Sequence, residues 1–485
     1  MPTGSAAWAH TGCRYLIART VATALLLCTV LAGSPVQAQE SETPEWLRPP
    51  HHASAVPDYV IDVLTPPLQP IVQPPSPIES ARLLRVLHDA QRPDYLAQIR
   101  PGNDDAVPIP PAPFGQPPAV VRGLYMNGWV FASSRFFGLL ALADTTEVNA
   151  FVIDVKDATG YITYRSSVPT AVQIGANDVV RIRDPRERLS MLNARGIHPI
   201  ARIVVARDPL LAKRKSTWAI HDTSGSLWHD GLGEPWVDAH NDSVWIYAAQ
   251  LAEEAVLMGF REIQFDYVRF PDEPPQRLGR TVYPARRPGE SRRAAISRNV
   301  ELLRRRVSRA GVPFTLDVFG LTTSARGDLG IGQVWEDLSS AADVILPMVY
   351  PSHYRRGSFG LANPNREPYV VVRRAMLEAL ERSKGTPNAA KIRPYLQAFT
   401  IYRVRYGPNE IRAQIRAVEE LGLTDWVLWN ARGVYPPAAL RPSRRRSAAG
   451  DSDGTAAAGA ARATPLQDTP DSTEGPTASR RAPRH

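Results

Sequence analysis

The chain has 485 residues, of which 44% are apolar and 22% charged, a balance that suits one large globular domain with extensions or two ordinary domains. Its 45 prolines are too many for a single compact fold. The formal net charge of +9 comes from arginines interspersed with acids, as in Arg186-Glu187-Arg188, with no RNA-binding signature or zinc-finger spacing, which speaks against nucleic acid as a partner.

Residues 1–38 read as a secretory signal. Arg14 and Arg19 precede an apolar run from Val21 to Ala32, and Val36-Gln37-Ala38 offers a small-residue cleavage site before Gln39. The run is too short for a membrane span, so the expectation is an exported protein, periplasmic or extracellular, with no integral span. Both cysteines, Cys13 and Cys28, lie inside this leader. The mature chain therefore has no thiol to form a disulfide or ligate a metal, and no cofactor is expected.

From 39 to 118 proline recurs in clusters (Arg48-Pro49-Pro50, Thr65-Pro66-Pro67, Ile109-Pro110-Pro111), with one short helical pattern over 78–91 carrying Leu83, Leu84 and Leu87. Such a segment stays extended and solvated. At the other end, 441–485 is Arg, Ala, Ser, Thr, Pro and Gly with almost no large apolar residue, which predicts a disordered basic tail. The tail is open to a weak contact with an anionic envelope polymer, against the plainer reading of a solvated end.

Between 119 and 440 short β-rich runs alternate with helical patterns. The runs cover 121–127, 150–156, 197–205, 262–268, 313–319, 343–350, 393–399 and 425–430. Helices are predicted over 134–147, 244–258, 292–310 and 409–421, and several stop at glycine before the next strand: Gly196, Gly259, Gly311 and Gly422. Eight strands in this order predict an α/β fold, a (β/α)8 TIM barrel with enlarged βα loops. An open doubly wound sheet is the alternative, disfavoured because no Gly-rich phosphate loop follows the first strand.

Barrel enzymes gather their working groups at the C-terminal strand ends. There the first strand supplies Tyr125, Asn127 and Trp129, and the second Asp154, with Lys156 and Asp157 beyond it. The fourth supplies Asp266 and Arg269, the fifth Asp317, the sixth Tyr350 and His353, and the eighth Trp429 and Asn430. The two-residue period turns Ile263 and Phe265 outward if Asp266 points in. A single such carboxylate could be structural, for example Asp266 paired with Arg269; a ring of polar strand ends reads as a pocket. Carboxylates, Tyr, Asn and Trp suit carbohydrate, whose apolar faces stack on rings and whose hydroxyls need polar partners. Trp218, Trp228 and Trp236 in the polar loop after the third strand read as a cleft wall, with a Trp-anchored structural lid as the plain alternative.

Glycosidic cleavage needs two carboxyl groups. Neighbouring strands lie about 4.8 Å apart, so Asp266 and Asp317 are the candidate catalytic pair, and mutual repulsion would keep one of them protonated. A metal at Asp154, Asp157 and His198 is discounted because His198 begins its strand, at the opposite end of the barrel.

The motifs VRGLYMNGW, FVIDVKDATGYITY, IQFDYVRFP, LDVFG, LPMVYPSHY and LWNA resemble a bacterial glycoside hydrolase family first described as a domain of unknown function, similar to barrels of the alpha-amylase superfamily. The resemblance covers about 121–436 and implies a nucleophile on the fourth strand and an acid/base on the fifth, the positions of Asp266 and Asp317. The chain departs from the amylase pattern in having Asp where Glu is usual on the fifth strand, and it has no acid on the seventh, RPYLQAFT. The reading is an exported glycoside hydrolase acting on a carbohydrate polymer; the alternatives are a non-catalytic carbohydrate-binding barrel and a scaffold tethered by its two ends.

Overall fold

The computed structural model describes residues 117–443. The leader, nearly all of the Pro-rich extension and the tail beyond Ser443 lie outside the described residues.

Eight strands form the barrel: β1 (Arg122–Met126), β2 (Ala150–Lys156), β3 (His198–Val204), β4 (Glu262–Asp266), β5 (Phe314–Phe319), β6 (Val344–Val349), β7 (Tyr395–Gln397) and β8 (Trp426–Trp429). Each pairs in parallel with the next, and β8 pairs back onto β1 through Gly123↔Val427. The sheet is closed, so no strand edge is left unpaired.

The longest helix of each crossover packs outside the barrel: α1 (Arg135–Thr145), α2 (Arg186–Ala194), α3 (Asp242–Met258), α4 (Arg292–Ser308), α5 (Trp335–Ala341), α6 (Pro368–Lys384) and α7 (Pro408–Glu419). The predicted glycine stops hold: φ is +121° at Gly259 after α3 and +77° at Gly422 after α7, a left-handed backbone that disfavours any residue with a Cβ. After β8 only a 3-10 turn, Pro437–Ala439, follows among the described residues. The seam beside it is closed by Glu147 N–H to the Arg441 carbonyl (2.9 Å) and Ser443 N–H to the Thr145 carbonyl (3.1 Å). Arg441–Ser443, given to the tail by composition, thus still bind the barrel.

The strand period divides the core in two. Phe151, Ile153, Ile263, Phe265 and Leu316 face outward into the layer packed by helices. Val152, Ile200, Leu346, Tyr395 and Val427 fill the barrel interior. The inward positions of β4 are then Glu262, Gln264 and Asp266, all buried, one at each level from floor to mouth.

Candidate active site

The mouth is organised by a residue of β3. Arg202 lies in register beside Asp154 on one neighbouring strand and Gln264 on the other. Its Nη1 is 2.5 Å from Asp154 Oδ1, its Nη2 2.5 Å from Asp266 Oδ2, and its Nε 3.1 Å from the same Asp266 oxygen and 3.7 Å from Asp317 Oδ2. Asp266 Oδ2 and Asp317 Oδ2 therefore both lie within 4 Å of one guanidinium nitrogen, which keeps the two carboxyls closer than the upper limit of about 9.5 Å for carboxyl pairs in glycosidases. The other Asp266 oxygen accepts the Tyr267 N–H at 2.5 Å, where the chain leaves β4 with φ +54°, a conformation uncommon for a residue of this size.

Around this core, Tyr125 Oη donates to Asp154 Oδ2 at 2.6 Å. Gln264 Nε2 donates to Asp317 Oδ2 at 2.8 Å and to Tyr395 Oη at 2.7 Å. Trp429 stacks on Tyr125 with centroids 3.6 Å apart and 16° between planes, and the Arg202 guanidinium sits over both rings. Asp317 Oδ1 and Tyr350 Oη are buried with no hydrogen-bond partner.

Three carboxylates surround one arginine, and the charges do not cancel. Burial, with the nearby Asp266 charge adding to it and Arg202 opposing, pushes the Asp317 carboxyl well above the usual range. Burial raises Asp154 as well, against the pull of Arg202. The Tyr350 phenol is driven up by burial and then by Asp317 and Asp266. Burial and the Asp266 charge thus favour the protonated form of Asp317, while Asp266 receives charge-assisted bonds from Arg202.

Of the residues expected at the mouth, Tyr125, Asp154, Asp266, Asp317, Tyr350 and Trp429 come together there. His353 is exposed beside them, its ring 5.3 Å from Tyr350. Trp129 is 41% exposed on the short helix after β1, with Arg181 over its ring. Others are placed differently. Lys156 is buried in an ion pair with Asp208 (2.5 Å), because a register shift between Asp154 and Lys156 breaks the alternation that would have pointed it inward. Asn127 caps the helix after β1 and holds the Ala431 carbonyl. Asn430 bonds the Ala398 and Val434 carbonyls and the Arg432 N–H. Trp228 and Trp236 are buried, their indole N–H groups bonded to the Arg277 carbonyl and to Asp230; they anchor the β3 loop as a structural lid and form no cleft wall. Arg269 does not pair with Asp266: it packs on Trp236, Tyr267 and Phe319 and donates to the Phe270 carbonyl.

Arg202, Gln264 and Tyr395 are the members that sequence reasoning missed. The signal for two of them was the strand period itself: Gln264 is two residues before Asp266, and Arg202 is a lone charge inside IHPIARIVV. Among the described residues no group of three His, Cys, Asp or Glu is placed to hold a metal ion, and His198 sits at the floor with its Nε2 3.1 Å from Glu262. No helix among them is long and apolar enough to cross a membrane.

A hypothetical protein from Ruminiclostridium thermocellum is 34% identical over 40% of this chain and 97% of its own, with a TM-score of 0.36. The glycoside hydrolase domain of PgaB (BpsB) from Bordetella bronchiseptica is 14% identical over 66% of this chain and 99% of its own, TM-score 0.45. A chitinase from Chromobacterium violaceum is 16% identical over 66% and 96%, TM-score 0.39. No curated protein matches the chain. Residues 123–435, well over half of the chain, match the family described as "Putative glycosyl hydrolase domain", and the chain belongs to that family.

Proposed function

We propose that the chain is an exported glycoside hydrolase that cleaves glycosidic bonds in a polysaccharide or envelope glycan, with Asp317 as proton donor and Asp266 as nucleophile or base. The observation that carries this reading is a pair of carboxyls on neighbouring strands sharing one guanidinium, of which Asp317 is driven to keep its proton. Asp317 gives that proton to the glycosidic oxygen as the bond to the leaving sugar breaks. Asp266, on the other side, attacks the sugar carbon or takes a proton from the attacking water, and Arg202 holds it in place. The Tyr125–Trp429 stack supplies a flat apolar face for a sugar ring, Tyr350 offers an unpaired hydroxyl, and Trp129 and His353 extend the contact surface outward. The leader, with its basic start and small-residue site, supports export.

A second reading, a carbohydrate-binding barrel without turnover, is favoured by one fact: Asp266 and Asp317 are only 3% and 1% exposed. Two surface hollows of about 330 and 600 Å³ lie against α6 and are lined by none of the mouth residues.

Leaving-group dependence separates the two. Asp317→Asn should lower turnover of a natural glycan by on the order of 10²–10⁴-fold, yet spare much of the activity on an aryl glycoside whose phenolate leaves without protonation. Asp266→Asn should lose both activities. No release of reducing ends by the unaltered protein from any of a broad panel of polysaccharides would favour the binding barrel.

A further inference from the structure

Most arginines of α4 and those of three loops at the mouth differ in whether they meet a carboxylate. Along α4, Arg293, Arg298, Arg304, Arg305 and Arg306 each reach a carboxylate: Asp337, Asp242 and Glu290, Asp343, Glu301 and Glu253 respectively. On the mouth side, the loops after β6, β7 and β8 carry Arg355, Arg356, Arg366, Arg403, Arg405 and Arg432, all exposed. None of these has a carboxylate partner among the described residues, and Glu367 is the single acid in the three segments 351–367, 398–407 and 430–436.

These loops form one surface. The Asn365 side-chain amide donates to the Ile401 carbonyl (3.3 Å), Tyr406 Oη donates to the Asn365 carbonyl (3.0 Å), and Asn430 Nδ2 donates to the Ala398 carbonyl (2.6 Å). Their parent strands are neighbours in the barrel. At the tip of the β7 loop, Val404 N–H closes on the Ile401 carbonyl (3.0 Å), with Tyr402 and Arg403 at φ +52° and +58°. Paired left-handed residues in such a turn are usually Asn-Gly. Here the turn presents a tyrosine, 75% exposed, and an arginine to solvent. Strain of this kind at a rim loop is retained where the presented side chains have work to do.

A solvated surface with no ligand gains nothing from concentrating one sign of charge, whereas a polyanion does. We propose that the β6–β8 rim binds an anionic glycan, a polysaccharide with carboxylate substituents, laid across the Tyr402–Arg403 tip toward the carboxyl pair. The proposal rests on the glycoside hydrolase reading for its direction, and it names the class of substrate. Guanidinium forks match carboxylates in pairs of N–H···O bonds, and a tyrosine face beside them suits a sugar ring.

The test is binding by the full chain, measured by affinity electrophoresis in gels containing polygalacturonate, dextran sulfate or neutral dextran, with single-stranded DNA in a fourth arm. The expected result is retardation by polygalacturonate at least ten times stronger than by neutral dextran, weakening as salt rises. The double variant Arg403→Ala/Arg405→Ala should lose about tenfold. Arg305→Ala/Lys384→Ala, which removes the same charge at the last turns of α4 and α6, should bind as the unaltered chain does. Equal affinity for neutral dextran, equal losses in the two variants, or binding of dextran sulfate or DNA as tight as of polygalacturonate would overturn the proposal. Binding is read separately from turnover in Asp266→Asn. Polyanion retention with no hydrolysis by the unaltered chain would sink the hydrolase and keep the rim; hydrolysis of neutral glycans alone would do the reverse.

Discussion

The two ends of the barrel use the same side chains to opposite effect. At the floor, Arg393 Nη1 is 2.5 Å from Glu262 Oε1 and its Nε 3.5 Å from Asp425 Oδ2, while Lys391 Nζ is 2.8 Å from Asp425 and His198 3.1 Å from Glu262. Two carboxylates meet two permanent cations. Burial alone would raise Glu262, but Arg393 and His198 outweigh it and hold its pKa down at about 2. At the mouth three carboxylates meet one arginine, and burial together with Asp266 drives Asp317 the other way. A balanced buried network clamps strands; an unbalanced one favours the protonated form of one of its carboxyls.

The contrast breaks most severely at Arg202. Arg202→Met strips the guanidinium from Asp154 and Asp266 and leaves buried carboxylates without their cation, a loss of about 3–5 kcal/mol in chemical denaturation together with loss of any turnover. Trp236→Ala should cost stability of similar size, about 3–5 kcal/mol, if the β3 loop is anchored as its buried indoles indicate.

Glu262→Gln and Asp317→Asn should respond to pH with opposite signs. The Glu262 carboxyl titrates lower in the folded chain than unfolded, so its contribution is present above about pH 4.3 and is lost as pH falls toward about 2. The deficit of Glu262→Gln in thermal melts should therefore be full at neutral pH and vanish in acid. Asp317 titrates higher when folded, so the folded chain binds the extra proton and stability declines as pH rises past about 3.9. Asp317→Asn removes that decline and should be more stable than the unaltered protein at neutral pH, by about 0.5–2 kcal/mol, although the proposed mechanism requires it to be the less active protein. The smallest effect belongs to the rim. Trp129→Ala should stay within about 0.5 kcal/mol of normal stability and weaken glycan binding several-fold.

The fold was legible because its signals are local. Glycine stops, β-rich runs and the inward–outward period each follow from a few neighbouring residues, and the outward turn of Ile263 and Phe265 came from the position of Asp266 alone. The candidate site was legible where a polar residue sits at or near the C-terminal end of a strand, as at Asp154, Asp266 and Asp317. It was obscured where a long-range event decides the matter. The register shift after Asp154 sent Lys156 to Asp208, a partner 52 residues on. The burial of Trp228 and Trp236 depends on the lid folding over them. Arg202 reads as an anomaly within an apolar strand until its neighbours on both sides are known to carry Asp154 and Asp266.

The central claim is that Asp317 keeps its proton at neutral pH beside a bonded Asp266. Infrared difference spectroscopy of the unaltered chain against Asp317→Asn near pH 7 tests it directly. The account predicts a protonated-carboxyl carbonyl band in the unaltered protein that disappears in the variant. A spectrum with no such band, and a carboxylate band lost in its place, would contradict it.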